Sequence, residues 1–173
     1  MKKIVFIGPE STGKSTLAEQ LAKYYRTTWV EEYARSYIDK LNRPYEESDL
    51  ITIAQGQLLA EAKKEKEANE VLFCDTDLIV IEIWSTVKYG KCDKWTLEQI
   101  KQCHYDLYFL CGTDVPWEYD EQREHPEFRE ELFEMYESKL IEYNKKYIKL
   151  IGNKQLRLKK AIKIVDKLLL LKK

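Results

Sequence analysis

One stretch near the start of the 173-residue chain restricts its fold more than any other. Four apolar residues, Ile4 to Ile7, run into Gly8-Pro9-Glu10-Ser11-Thr12-Gly13-Lys14-Ser15-Thr16, and an amphipathic pattern follows to about Tyr25. Gly8, Gly13, Lys14 and Ser15 fit G-x-x-x-x-G-K-[ST], a phosphate-binding loop. The chemistry needs that order. A buried strand delivers the chain to a tight turn, and glycines let backbone N–H groups converge on phosphate oxygens. The helix that starts there adds its positive end. Lys14 supplies a mobile charge for the β- and γ-phosphates, Ser15 a hydroxyl for Mg²⁺, and Thr16 falls beside the α-phosphate. Glu10, Ser11 and Thr12 complete the loop. The ligands expected are ATP and Mg²⁺.

The rest of the chain alternates strand and helix signals. Helix is expected at Lys14 to Tyr25, Ala34 to Leu41, a long segment from Ser48 or Asp49 to Glu67, Asp77 to Tyr89, and Glu127 to Asn144. Thr96 is expected to cap another, and Gly152-Asn153 to turn into the last. Strands are expected at Ile4 to Ile7, Thr27 to Val30, Val71 to Cys74, Tyr105 to Cys111 and Ile148 to Ile151. Strands separated by helices predict a parallel sheet with right-handed crossovers, covered on both faces. The whole chain, residues 1–173, reads as one α/β domain, with a lid over about 114–130.

Three further segments carry chemistry. Val71-Leu-Phe-Cys-Asp-Thr-Asp77 is an apolar strand ending in an acid, which puts Asp75 at the sheet edge where open α/β folds bind ligands. Asp75 can then reach Mg²⁺ through water. Asp77 points to the same side if the strand persists, or caps the next helix. Val115 to Glu130 is polar, aromatic and proline-containing, so it suits a segment closing over phosphate. Arg123 lies in its non-periodic part and is the better candidate to neutralise transition-state charge, whereas Arg129 suits pairing with glutamates of its own helix. Trp29-Val-Glu-Glu-Tyr-Ala-Arg35 opens from the second strand. Glu31 or Glu32 can hold sugar hydroxyls or take a proton, Arg35 can hold the transferring group, and Trp29, Tyr33 and Tyr37 stack on a flat ring or pack the core.

Composition narrows the partners. A formal net charge of −1 gives no global basic field for nucleic acid or an anionic membrane. The lysines of Lys154 to Lys173 read as the wet face of an amphipathic helix. No apolar run approaches a membrane span, the Lys2-Lys3 start leads only four apolar residues, and the four cysteines lack C-x-x-C spacing. A cytoplasmic protein with reduced thiols is expected, its homo-oligomeric state open.

Taken in order and spacing, "GPESTGKSTLAEQLA", "EEYAR", "DTD" and "DVPWEYDEQR" resemble the ribosylnicotinamide kinase domain of NadR-type NAD-salvage proteins, over nearly the whole chain. The resemblance implies a nucleoside-kinase-like P-loop fold with strand order 2-3-1-4-5. It also implies ATP-dependent phosphorylation of the 5′-hydroxyl of nicotinamide riboside, with Lys14, Glu32, Asp75 and Arg123 catalytic and Tyr33, Arg35 and Asp77 beside the riboside. Glu121-Gln122 stands before Arg123 where that family often has a glycine. No second nucleotide-binding signature is present, so adenylyl transfer is not expected. The alternatives are a P-loop kinase for another small acceptor, or a regulatory ATPase.

Overall fold

The computed structural model describes residues 1–120 and 127–170. Five strands, β1 (Lys2–Ile7), β2 (Trp29–Val30), β3 (Val71–Asp75), β4 (Leu107–Cys111) and β5 (Tyr147–Leu150), form one sheet in the order β2-β3-β1-β4-β5. Every neighbouring pair is parallel. The central strands read as unbroken apolar runs because both faces are covered. Val5 and Ile7 face one side, and Ile4 and Phe6 the other, all fully buried.

On the first side lie α3 (Glu47–Glu65), α4 (Leu78–Tyr89), α5 (Lys94–Gln102) and α6 (Arg129–Glu142), with the short α2 (Tyr33–Ile38) at the edge. On the second lie α1 (Lys14–Tyr24) and α7 (Lys154–Leu170), which bury Leu17, Leu21, Ala161 and Val165 against Phe6, Phe73 and Phe109. Parallel strands bring all their carboxyl ends to one edge, where ligands of such sheets bind. The loops after Ile7, Val30, Asp75, Cys111 and Leu150 therefore meet there.

Helix starts differ from the sequence reading at two places. Asp49 is not a cap but lies within the first turn of α3, and its Oδ2 accepts from the Glu46 N–H at 2.7 Å, so the helix begins two residues earlier. Thr96 is buried inside α5, which Asp93 caps by accepting from the Trp95 N–H at 2.8 Å. At α5 an aspartate three residues earlier takes the cap, and at α3 Glu46 takes it in a capping box whose third helical residue is Asp49.

Asp49 also accepts two hydrogen bonds from the Arg43 guanidinium, at 2.7 and 2.9 Å, and one from the Tyr37 hydroxyl at 2.8 Å. Arg43 first, and then the Glu46 N–H, hold its carboxyl well below the usual carboxylate range. A depressed folded value means that this stability is present above the unfolded carboxylate value of about 4 and is lost as pH falls below it. Asp49→Asn is expected to cost about 1 kcal/mol near neutral pH, the net weight of a hydrogen bond, because the amide offers Arg43 one neutral acceptor in place of two charged oxygens. Urea midpoints of the two proteins should converge on acidification; a gap independent of pH would contradict the assignment.

Candidate functional site

The loop between β1 and α1 wraps under tight constraint. Gly8 has φ 138°, and a Cβ there would sit 2.6 Å from the Cys111 carbonyl oxygen, so only glycine lets β1 end this close to β4. Ser11 has φ 54° and Gly13, at the cap of α1, φ 80°. Backbone strain of this kind persists where surrounding structure enforces it. The Thr12 hydroxyl donates to the Pro9 carbonyl at 2.8 Å, closing the loop on itself. No side chain caps α1, so its first N–H groups remain for an anion. Lys14 Nζ lies over the loop, donating to the carbonyls of Gly8 at 2.9 Å and Pro9 at 2.7 Å.

This loop floors a cavity of about 1100 Å³. That exceeds what one small ligand fills, since single-ligand sites run from roughly 300 to 1,000 Å³. Beyond the loop on one side the wall is Gln20, Asp114, the turn Gly152 to Gln155, and Arg157. On the other side stand Glu32 and Arg35, then an apolar wall of Ile38, Val80, Ile83, Trp84, Leu132 and Tyr136. Trp84 is fixed by its indole N–H, which donates to the Tyr45 hydroxyl at 2.7 Å. Both sets of residues line the same cavity as the phosphate loop.

Asp75 ends β3 beside this loop, 1% exposed, and its Oδ1 has no hydrogen-bond partner. Burial, and next the Glu32 charge, push its carboxyl above the usual range; Lys14, the Ser15 hydroxyl and Arg35 oppose them. Lys14, Ser15, Glu32, Arg35 and Asp75 thus form one electrostatic cluster. A buried, unsatisfied carboxylate oxygen beside a hydroxyl is a hard-oxygen pair suited to Mg²⁺. Among the described residues no group of three or more His, Cys, Asp or Glu could hold a metal.

Asp77 does not join the cluster. The strand stops at Asp75, Thr76 takes φ 69°, and the expected alternation is lost. Asp77 instead caps α4: Oδ1 accepts from the Ile79 N–H at 3.0 Å and Oδ2 from the Tyr108 hydroxyl at 2.9 Å. Its burial pushes the carboxyl up to about 7. Tyr33 also turns away from the cavity, with its ring over Gly56 of α3 and its N–H donating to Gln57 Oε1 at 2.9 Å. Glu10, Ser11, Thr12, Gly13, Lys14, Ser15, Thr16, Glu32 and Arg35 all line the cavity.

Arg129, expected to pair with glutamates of its own helix, contacts other segments. It reaches back to the phosphate loop, Nη2 donating to the Ser11 carbonyl at 3.1 Å and both Nη atoms to Val115 at 3.2 Å. The Glu118 N–H donates to Ser11 Oγ at 2.8 Å, and Arg35 Nη1 to Asp120 Oδ2 at 2.9 Å. Residues 115–120 therefore cross the cavity mouth from the loop to the Arg35 side. Arg123, like His125, lies outside the described residues.

Sequence reasoning missed the apolar wall. Val80, Ile83, Trp84 and Val87 repeat at helical spacing, a visible stripe, but spacing alone does not separate core from cavity. It also missed Arg157, which lies among the C-terminal lysines read as a wet face but is only 1% exposed.

The fold and cavity can now be set beside known proteins. A family model described as an AAA domain, AAA_28, matches residues 3–157. The chain belongs to this AAA-domain family. It is also homologous to the trifunctional NAD biosynthesis/regulator protein NadR of Escherichia coli (strain K12), 30% identical over 155 residues, which are 83% of this chain and 37% of that protein. The chain spans 37% of the length of the curated relatives it matches. Among solved structures, a NadR protein in complex with NR superposes with a TM-score of 0.76 at 26% identity, covering 96% of this chain and 49% of the other. Deoxyadenosine kinase from M. mycoides superposes with a TM-score of 0.68 at 15% identity, over 95% of this chain and 99% of the other, a likeness of fold. The AAA domain thus has the P-loop kinase architecture and strand order that the sequence resemblance implied. No described helix is long and apolar enough to cross a membrane.

Proposed function

We propose that this AAA domain transfers the γ-phosphoryl group of ATP to the 5′-hydroxyl of nicotinamide riboside, giving nicotinamide mononucleotide and ADP. The observation that carries the reading is one cavity of about 1100 Å³ lined by the phosphate loop, by Glu32 and Arg35, and by apolar residues of α4 and α6. A regulatory ATPase needs no cavity extending past the phosphate loop to an apolar wall.

In this scheme the donor phosphates lie along Gly8 and Glu10 to Thr16, with the base toward Gly152 and Asn153. Lys14 swings from the Gly8 and Pro9 carbonyls to the β- and γ-phosphates. Ser15 and, through water, Asp75 would hold Mg²⁺, which draws negative charge off the transferring group. Glu32 hydrogen-bonds the riboside and takes the proton of its 5′-hydroxyl as that oxygen bonds to phosphorus; the bond from phosphorus to the β-phosphate oxygen breaks. Arg35 steadies Glu32, 3.5 Å away, and faces the transferring group. Charge is neutralised from the lid side by Arg123, on its sequence position, and by Arg129. A pyridinium ring is flat and cationic, which suits the aromatic Trp84 and Tyr136 of the acceptor wall. Tyr33 and Asp77 support the acceptor side from behind, through Gln57 and Tyr108.

Turnover should be measured across nicotinamide riboside, adenosine, uridine and thymidine with Mg-ATP. Nicotinamide riboside is expected to exceed the others in kcat/KM by at least about tenfold, the effect of ~1.4 kcal/mol of differential binding. Preference for another nucleoside would reassign the acceptor, and ATP hydrolysis with no phosphorylated product would favour the switch. Chelating the divalent ion is expected to abolish turnover.

A further inference from the structure

Arg157 stands one turn into α7, far in sequence from the phosphate loop, and is the largest fully buried side chain of the described residues. Its guanidinium joins three segments. Nε donates to the Gly152 carbonyl at 2.7 Å, Nη1 to the Thr12 carbonyl at 2.8 Å, and Nη2 to the Gly112 carbonyl at 3.0 Å. Nη2 also pairs with Asp114, whose other carboxylate oxygen accepts from the Gly152 N–H. Burying an arginine is costly unless its donors are met, and here they meet three carbonyls and a carboxylate. A methyl-bearing side chain would fill the same space without those costs, so packing does not account for the choice.

We propose that Arg157 is a positioning residue for the phosphoryl donor, setting the direction of the Gly13 N–H and locking the base-side turn to the phosphate loop. The first part follows from peptide geometry. All described peptide bonds are trans, and in a trans unit the carbonyl and the following N–H point opposite ways. With the Thr12 carbonyl drawn onto Arg157, the Gly13 N–H is turned away from it, toward the phosphates. Gly13 at φ 80° has no side chain to hold this orientation by sterics, so a hydrogen bond must. The second part follows from the Gly152 and Gly112 contacts: one planar fork spans the turn after β5, the end of β4 and the loop after β1. Lysine keeps the charge but cannot reach three carbonyls in one plane.

The inference rests on the phosphate-binding part of the proposed function, not on the identity of the acceptor. Wild type, Arg157→Lys and Arg157→Met are titrated calorimetrically with inorganic tripolyphosphate and with Mg-ATP, and the Gly13 amide is followed by ¹⁵N NMR. Kinetics give KM for ATP and for the acceptor separately. Arg157→Lys is expected to weaken tripolyphosphate at least tenfold, raise KM for ATP by a similar factor, shift the Gly13 amide, and leave the acceptor KM within twofold. A purely structural arginine would lower thermal stability while the folded fraction kept wild-type affinity, and that result overturns the proposal. Should Arg157→Met not fold, Arg157→Lys decides alone. Wild type that binds tripolyphosphate but phosphorylates no riboside removes the acceptor assignment and leaves Arg157 standing. Wild type that ignores tripolyphosphate removes both.

Discussion

Lys14→Ala is expected to lower kcat/KM by about 10³-fold while the protein stays folded. Removing one group that meets developing charge costs on the order of 10²–10³ in rate, and a full charge on the transferring phosphate acts at the upper end. In free-energy terms the expected loss is about 4 kcal/mol. The structural cost is small, because Lys14 is only half-buried and its partners are two loop carbonyls that water can satisfy. Lys14→Arg should not restore activity, since a planar fork is a poor substitute for a compact ammonium at a crowded loop. Coupled measurement of ADP release, with thermal melting as control, checks both. An alanine variant within tenfold of wild type would overturn the role given to Lys14.

Asp75→Asn has the second largest expected effect, roughly 10- to 100-fold in activity, the usual consequence of removing an outer ligand of a bound ion. The carboxylate ends β3 at the sheet edge, fully buried, with one oxygen unmatched by any hydrogen-bond donor. Asparagine keeps the shape and removes the charge, so the loss should concentrate in the concentration of Mg²⁺ needed for half-maximal rate. Thermal stability should hold or rise, because burial already disfavours the ionised carboxyl. Unchanged Mg²⁺ dependence would mean that Asp75 acts only in packing.

Much of the architecture was legible because parallel sheets leave a strong pattern. Strands buried on both faces become apolar runs, and Ile4 to Ile7, Val71 to Cys74 and the run ending at Cys111 all show it. The sequence leaves Asp77 open between strand edge and helix cap, and the structure makes it the cap of α4, which Gly90 ends at φ 72°. Starts of α3 and α5 were harder, because several polar residues within one turn compete to cap. Thr76 at φ 69° was not foreseeable from its identity, and it is what separates Asp77 from Asp75.

The chain of residues by itself determined the phosphate loop, the acid at the end of β3 and the alternation that makes the sheet parallel. These depend on contacts between residues close in sequence, or on which residues tolerate burial. Only the tertiary structure decided that Arg157 lies under Thr12, that Arg129 reaches Ser11, and that Trp84 and Tyr136 line the cavity as well as packing on the core. Each of those joins segments tens of residues apart or more, and periodicity along one helix carries no information about which distant backbone its polar or apolar face will meet.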